Sequence, residues 1–99
     1  MAVSTALSSD QKEKTIRIDG RFDFTAHQEF VKAYKSDPKG DKSYVVDLKN
    51  TEYMDSSAMG MLLQLREYAA RNQVKLKNAN DTIAEILRIA NFGKLFQVQ

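Results

Sequence analysis

Residues 43–48 of the chain read Ser-Tyr-Val-Val-Asp-Leu, and this stretch decides which fold the rest of the sequence can adopt. Its β-branched and aromatic residues form a nearly continuous apolar run, which is typical of a central strand covered on both faces. The preceding residues 36–41 combine Pro and Gly with small polar side chains and predict a loop. Residues 49–52 are polar and predict a second loop. A buried central strand between two loops is therefore the starting point of the predicted sheet.

Three further segments show the alternation of a β-strand. Residues 14–18, Lys-Thr-Ile-Arg-Ile, alternate polar and apolar side chains and predict a half-buried strand that ends near Gly20. Residues 74–77 alternate in the same way, and residues 3–7 predict a short edge strand. The chain therefore supplies at least four strands, and they are spread along its whole length.

Helical periodicity separates most of these strands. Apolar residues recur every three or four positions near residues 25–35, 57–71 and 82–91, which predicts three helices. Small polar residues that can accept a first-turn N–H stand at their starts. The expected N-caps are Thr25 for the first helix, Asp55 or Ser56 for the second, and Asn80 or Asp81 for the third.

The order of the elements is strand, strand, helix, strand, helix, strand, helix. Strands that alternate with helices need crossover connections, so they pair at least partly in parallel. We therefore predict an α/β fold, a single domain over residues 1–99 with a four- to five-stranded mixed β-sheet covered by α-helices. The chain is expected to end in a packed tail that contains Leu95, Phe96 and Val98.

The composition limits the classes of function. The 99 residues are 42% hydrophobic and 28% charged, which is the balance of one small globular domain. Fifteen basic and thirteen acidic residues leave a net charge of +2, well short of the strongly basic surface of a nucleic-acid-binding protein. The lack of cysteine and the single histidine exclude a disulfide framework and multi-histidine zinc sites, so no metal or cofactor is expected. No apolar run reaches the roughly 18–20 residues of a membrane span and no secretory signal is visible, so we expect a cytoplasmic protein without a membrane segment.

Motifs for catalysis are mostly absent. The chain has neither a P-loop nor the Gly-x-Gly-x-x-Gly motif of dinucleotide-binding proteins. A nucleophilic pair could be drawn from Ser57 and His27, but no Gly-x-Ser-x-Gly turn surrounds any serine. His27 is more simply explained as a half-buried residue of the first helix, and Asp19 and Asp23 as solvated loop acids. No catalytic residue is therefore expected, and a small hydrolase is kept only as an alternative.

Residues 54–63, Met-Asp-Ser-Ser-Ala-Met-Gly-Met-Leu-Leu, begin the second helix with three polar side chains. Asp55 or Ser56 can simply cap the helix, where a carboxylate also suits the positive end of the helix dipole. Asp55, Ser56 and Ser57 together exceed what one cap needs, however. The cluster is therefore a candidate for a function beyond capping.

The same helix has a wide apolar arc. With Ala58 at the centre of the buried face, a step of about 100° per residue puts Met59 and Leu63 well off that face, beside Gly60. Either neighbouring elements cover this second arc, or it is an exposed apolar ridge that a partner contacts. On the second interpretation the partner-binding residues are Ala58, Met59, Gly60 and Leu63.

Residues 54–61 closely resemble the Asp-Ser-Ser-Gly-x-Gly signature of STAS domains of the anti-sigma-factor antagonist type. Residues 20–23, Gly-Arg-Phe-Asp, are similar to the Gly-x-Leu/Phe-Asp that follows the second strand of this family. Residues 44–48 resemble its central strand, and residues 86–96 its closing helix and tail. The resemblance covers nearly the whole chain in the correct order. Ala58 is a departure, since many members carry Gly there, but Ala is compatible with a helix start.

The resemblance implies a partner switch in which the domain is a substrate and not an enzyme. Antagonists of this type bind an anti-sigma factor or a switch-protein serine kinase and so release a sigma factor. The kinase phosphorylates the second serine of the signature, here Ser57, and a PP2C-type phosphatase removes the phosphate. Asp23, Asp55 and Ser56 match the polar residues around it. Spacing places a helix start only to within a residue or two, so the resemblance alone selects Ser57 over Ser56.

Two alternatives stay within the same fold. One is a STAS module that binds a ligand or a nucleotide, and the other is an adaptor for a membrane-associated complex or another effector enzyme. The absence of a Gly-rich phosphate loop and of a transporter segment favours the partner switch.

Overall fold

The alternating segments form a mixed sheet, and the periodic segments form the helices that pack on it. The computed structural model describes residues 2–99. In these residues the strands are β1 Ala2–Leu7, β2 Glu13–Phe22, β3 Ser43–Asp47, β4 Thr51–Met54, β5 Val74–Lys77 and β6 Gln97–Val98. The α-helices are α1 His27–Lys35, α2 Ser56–Tyr68 and α3 Asp81–Ile89, and short 3₁₀ turns cover Phe24–Ala26, Ala70–Asn72 and Phe92–Lys94.

β2 organises the sheet because it pairs with three other strands. β1 lies antiparallel to it, and β3 and β4 both lie parallel to it and divide its length. β3 pairs with residues 13–17 and β4 with residues 20–22, with a break in register between Gly20 and Arg21. β5 and β6 extend the sheet beyond β3, again in parallel. The structure thus confirms the predicted α/β fold with a mixed sheet and crossover helices.

β4 is a correction to the sequence analysis, which placed a loop at residues 49–52. The chain forms only a short loop before Thr51 and then pairs with the end of β2. β4 buries its two ends, Thr51 and Met54, while Glu52 and Tyr53 are exposed. Four residues with this burial pattern carry no alternation, so periodicity could not identify the strand.

The end of the chain is only partly packed. Phe96 is buried, as predicted, and stacks on Phe92 with ring centroids 5.0 Å apart. Leu95 and Val98 are 40% and 41% exposed, so the prediction of a packed tail is correct for Phe96 alone. Gln97–Val98 forms the two-residue strand β6, which brings the sheet of residues 2–99 to six strands where four or five were expected.

The helices cover one face of the sheet, not both. Alternate strand residues meet the buried sides of the three helices in one core that includes Ile16, Ile18, Val46, Leu76, Phe30, Leu62 and Leu87. Val45 points to the opposite face and is buried beside the residues that pair with it, Thr15 and Lys75. The expectation of a central strand covered on both faces is therefore confirmed for residues 44–48, which are all buried. Side chains of the neighbouring strands bury the outer face of β3 in place of a second helical layer.

The first turns of the helices differ in detail from the prediction. Asp23, not Thr25, is the first cap, because its carboxylate accepts the Thr25 N–H at 3.0 Å and starts the 3₁₀ turn before α1. Asn80 rather than Asp81 caps α3, since it accepts the N–H three residues later at 2.8 Å. α2 ends at Tyr68, short of its predicted length.

A mostly buried ion pair ties the loop after α1 to the sheet. Lys14 Nζ lies 2.9 Å from the Asp37 carboxylate and donates to the Ala33 carbonyl at 3.0 Å. The Tyr44 hydroxyl donates to the same carboxylate at 3.1 Å, and Lys42 Nζ lies 3.5 Å from it. Burial alone would raise the pKa of Asp37, but these hydrogen bonds and ammonium charges lower it below its usual range. Burial and the hydrogen bond to Asp37 raise the pKa of Tyr44.

We expect Asp37→Asn to lower the free energy of unfolding by about 1–3 kcal/mol, because Lys14 keeps its charge and loses its partner. A carboxylate whose folded pKa is lowered stabilises the fold above its unfolded pKa of about 3.9, and this contribution is lost as the pH falls through the folded pKa. The difference between the two proteins should therefore shrink on acidification. Urea unfolding at a series of pH values measures it.

Asp41→Asn is the control for this experiment. It removes an exposed carboxylate that lies 2.8 Å from Lys42, and it should change stability by less than about 0.5 kcal/mol. Equal losses in the two variants, or a difference for Asp37→Asn that grows at low pH, would contradict the stabilising role of the ion pair.

Candidate functional site

Two strand ends bring the polar residues of the predicted signature to one edge of the sheet. Phe22 of β2 pairs with Met54 of β4, and the Asp55 N–H donates to the Phe22 carbonyl at 3.4 Å. Asp23 and Asp55 are the next residues along these two parallel strands, so they leave the sheet side by side. Each carboxylate then starts a helical segment, Asp23 the 3₁₀ turn and Asp55 the helix α2.

One carboxylate oxygen of Asp55 holds both the helix start and the predicted phosphorylation site. Asp55 Oδ1 accepts the Ala58 N–H at 3.1 Å, which is an N-cap and contributes about 1 kcal/mol to the helix. The same oxygen accepts the Ser57 hydroxyl at 2.6 Å. Ser57 is half-buried, whereas Ser56 is exposed and its hydroxyl is free of any hydrogen bond within residues 2–99. Asp55 therefore orients Ser57 and not Ser56.

Asp23 is held by its own set of donors. Its carboxylate accepts the backbone N–H and the hydroxyl of Thr25, and the guanidinium of Arg21 lies 3.5 Å away. The Thr25 hydroxyl, followed by its N–H and by Arg21, lowers the pKa of Asp23 against the opposing effect of desolvation. Arg21 also lies over the ring of Tyr53, 4.3 Å from its centroid. Asp23 is thus an ionised group beside the start of α2 at neutral pH.

The two serines lie on different sides of α2. Ser56, Gly60 and Leu63 are spaced by four and three residues, so they share one outward side of the helix, where all three are exposed. Ser57 turns toward α1, where it borders a groove together with Met61. Spacing in the sequence did not distinguish the two serines, whereas the helix places them on different sides of α2.

The predicted partner-binding set needs one correction. Ala58 is fully buried in the core, so its side chain faces away from any partner. Met59 is partly buried against the core, and Leu63 is 39% exposed. A Cβ at Gly60 would meet nothing within 4 Å, so the backbone there is open to approach by another molecule. We call Met59, Gly60 and Leu63 the α2 ridge.

A groove between the first 3₁₀ turn and the start of α2 extends the site beyond the predicted residues. It is an open groove of about 450 Å³, lined by Phe24, Thr25, His27, Gln28, Ser57 and Met61. Phe24 is 72% exposed, an unusual position for a large aromatic side chain. His27 was predicted to be half-buried, but it is exposed because α1 begins with it. Neither Phe24 nor the groove was recognised from the sequence.

The missed position of Phe24 has a physical cause. Phe22 and Phe24 are two residues apart, and in a continuing strand both would face the core. The cap at Asp23 turns the chain, so Phe22 is buried and Phe24 projects into solvent. The Asp-Phe-Thr sequence after a strand is the only signal that could have indicated this turn.

Comparison with known proteins identifies the family. Residues 5–97 match the sequence model of the family described as "Mlab, STAS domain". The chain belongs to the STAS-domain family. A STAS-domain containing protein of Pseudomonas aeruginosa strain UCBPP-PA14 is 47% identical to this STAS domain over 100 residues, which cover 99% of each chain. The resemblance drawn from the sequence is therefore confirmed.

Solved structures share the fold of this STAS domain at low sequence identity. The anti-sigma factor antagonist SpoIIAA in its unphosphorylated form matches with a TM-score of 0.75 and 20% identity, over 99% of this chain and 88% of SpoIIAA. The Bacillus cell fate determinant SpoIIAA in its phosphorylated form matches with a TM-score of 0.66 and 18% identity, over 99% and 91% of the chains. An antisigma-factor antagonist STAS domain from Rhodobacter sphaeroides matches with a TM-score of 0.58 and 23% identity, over 82% and 92%. These matches establish a SpoIIAA-like fold.

The geometry of this STAS domain does not assemble the nucleophilic pair considered from the sequence. Ser57 donates to Asp55, and no hydrogen bond joins it to His27 within residues 2–99. In the same residues no group of three or more histidine, aspartate or glutamate side chains is placed to hold a metal ion. None of the helices in this part of the chain is both long and apolar enough to cross a bilayer.

Proposed function

We propose that this STAS domain is an anti-sigma-factor antagonist whose partner binding is controlled by phosphorylation of Ser57. The observation that carries the proposal is the position of the Ser57 hydroxyl. It is held by Asp55 at the first turn of α2, between the groove with the exposed Phe24 and the outward side that carries the α2 ridge. Two solved structures of the same fold are those of the anti-sigma factor antagonist SpoIIAA in its unphosphorylated form and of SpoIIAA in its phosphorylated form.

The proposed partner is an anti-sigma factor or a serine kinase that binds the unphosphorylated domain in the cytoplasm and so releases a sigma factor. Phe24 and Leu63 provide exposed apolar surface on either side of Ser57, and Gly60 lets a partner backbone approach. Adaptable Met59 completes the contact surface at the edge of the core. The domain touches no nucleic acid and no membrane in this scheme, and it needs no cofactor.

The covalent step takes place on the Ser57 oxygen. The kinase transfers the γ-phosphoryl group of ATP to Ser57 Oγ, which loses its proton, and ADP leaves. A PP2C-type phosphatase then hydrolyses the phosphate ester and restores the hydroxyl and inorganic phosphate. The domain acts as a substrate in both reactions and supplies no catalytic residue.

Phosphorylation changes the site through hydrogen bonding and charge. Ser57 Oγ no longer has a proton to donate, so its 2.6 Å hydrogen bond to Asp55 is lost. The phosphate adds about −1.5 to −2 charge next to the side chains of Asp23 and Asp55. The contact surface then carries a concentrated negative charge that must be desolvated when a partner binds. A loss of about 3–4 kcal/mol of interface energy lowers affinity by several hundredfold, which is enough for a switch.

The fold should tolerate this charge. The Asp55 cap on Ala58 does not depend on the Ser57 hydroxyl, so the helix start keeps it. A negative group in the first turn also interacts favourably with the helix dipole, by about 0.3–1 kcal/mol. The proposed switch therefore acts on the surface of the domain and leaves its core unchanged.

We expect phosphorylation of Ser57 to weaken binding of the purified anti-sigma factor or kinase at least about a hundredfold. Ser57→Ala should keep binding when the kinase and ATP are present, and Ser57→Asp should bind more weakly than wild type, because one carboxylate carries less charge than a phosphate. Titration calorimetry measures the affinities, and mass spectrometry locates the phosphate.

Ser56→Ala is the matched control, because it removes a hydroxyl one residue away that does not bond to Asp55. It should be phosphorylated and bind as wild type does. Phosphate found on Ser56 alone would move the assignment by one residue, and no phosphate on either serine would remove the mechanism. A rise in melting temperature with ATP or GTP alone would support the ligand-binding alternative instead.

Substitutions on both sides of Ser57 test the contact surface separately. Phe24→Ser and Leu63→Asp should each reduce partner binding at least about tenfold while changing the free energy of unfolding by less than about 1 kcal/mol, since both side chains are exposed. Ile89→Asp, at a 67% exposed position near the end of α3, is the control and should bind normally. If Leu63→Asp instead lowers stability by several kcal/mol, Leu63 belongs to the core and the α2 ridge is not a contact surface.

A further inference from the structure

A phosphate on Ser57 has few directions open to it. The Asp55 carboxylate lies on one side of Ser57 Oγ and would repel it, and Asp55 already occupies the Ala58 N–H. The next residue of the helix, Ala58, is fully buried and closes the inner side. The groove toward α1 is the open space that Ser57 itself lines, and its 450 Å³ is ample for a phosphate group.

The groove offers hydrogen-bond donors that the fold leaves free. Thr25 is engaged, since its hydroxyl donates to Asp23. His27 and Gln28 are exposed, and neither side chain makes a hydrogen bond to any part of the chain that the structure describes. Among the six residues that line the groove, His27 is the one whose side chain can become cationic near neutral pH.

We propose that this groove binds the phosphoryl group of phosphorylated Ser57, with His27 as its cationic partner and Gln28 as a neutral donor. The inference rests on the proposed phosphorylation of Ser57 and adds what receives the phosphate. The unmodified domain has no use for a charged histidine here, whereas the phosphorylated domain does. His27 then makes the contact between the groove and the phosphate sensitive to pH.

The charges around His27 agree with this assignment. The charged residues within three positions of a residue that lines the groove are Arg21 and Asp23 at the end of β2, Asp55 before α2 and Glu29 on α1; the lysines of α1 lie further along the helix, and β1 has no charged residue. Asp23 is already neutralised in part by Arg21. None of these groups lines the groove, so a phosphate on Ser57 would be the strongest charge facing the imidazole.

The imidazole and the phosphate would titrate as a coupled pair. Free histidine has a pKa of about 6.5 and the second ionisation of phosphoserine one of about 6, so the two groups change charge in the same pH range. The dianion raises the pKa of His27, and the imidazolium lowers the second pKa of the phosphate. The contact is therefore strongest at mildly acidic to neutral pH and weakens as the pH rises through the raised pKa of His27.

The single histidine allows a direct test by NMR. Full-length domain with phosphoserine installed at position 57 by genetic code expansion is compared with the unmodified domain in a pH titration of the imidazole proton signals. We expect the pKa of His27 to rise by at least about 0.5 unit on phosphorylation. Phosphoserine at position 56 is the matched control, because that side chain points away from the groove, and it should shift the pKa of His27 by less than half as much.

Phosphorus NMR gives the reciprocal readout. In protein phosphorylated at Ser57, His27→Gln should raise the second pKa of the phosphate because the positive charge is lost, and Gln28→Ala should raise it less because only a neutral donor is lost. An unchanged pKa of His27, or equal changes in that pKa from a phosphate at position 56 and at position 57, would overturn the assignment of the groove. If phosphorylation weakens partner binding but does not shift the pKa of His27, the proposed function is supported and the groove assignment is wrong. If the pKa of His27 shifts but partner binding is unchanged, the groove assignment is supported and the proposed function is wrong.

Discussion

The pairing of one strand, β2, with β3 along its first part and with β4 along its last residues constrains everything that follows in this fold. Because β4 is parallel to β2, both strands end at the same edge of the sheet. The residues that follow, Asp23 and Asp55, then start two helical segments next to each other. Because the 3₁₀ turn and α2 begin next to each other, a groove forms between them, and Phe24 is exposed at its side.

The Asp55 carboxylate shows how few hydrogen bonds the proposed switch would involve. One oxygen supports the helix through Ala58 and orients Ser57, and these two hydrogen bonds can be separated. Loss of the hydroxyl bond leaves the cap, which contributes about 1 kcal/mol against the roughly 5–15 kcal/mol of a typical domain. The added charge, by contrast, lies where a partner must desolvate it. The balance of these terms favours a change in binding over a change in fold.

The elements with a clear sequence pattern could be predicted from the sequence alone. The alternation over residues 14–18 identifies β2, and the apolar run over residues 44–48 identifies β3. The Asp-Ser-Ser cluster predicts the start of α2 because it supplies a capping side chain. β4 could not be predicted, since four residues buried only at their ends have no period. The apolar run indicated that β3 is buried on both faces, but not that neighbouring strands bury Val45 in place of a helix, because that depends on register and not on local sequence.

Some residues of the site could be identified from the sequence, and others only from the structure. The resemblance to STAS domains grouped Asp23, Asp55 and Ser56 around Ser57. In the structure Asp55 accepts the Ser57 hydroxyl, and Asp23 and Asp55 follow the paired ends of β2 and β4. The family match confirms the resemblance itself. The roles of these residues stay predictions. Ala58 was grouped with the partner-binding residues although its side chain is buried, and Phe24 was overlooked because its exposure results from a turn that only the Asp23 cap explains.

We propose that a phosphate on Ser57 alters the surface of a domain that stays folded, and amide hydrogen exchange of the unmodified and phosphorylated domains measures whether it does. We expect unchanged protection in β4 and throughout α2 beyond its first turn, with chemical-shift changes confined to residues 23–28 and 55–61. Loss of protection along α2 after phosphorylation would contradict it, because the switch would then act by local unfolding.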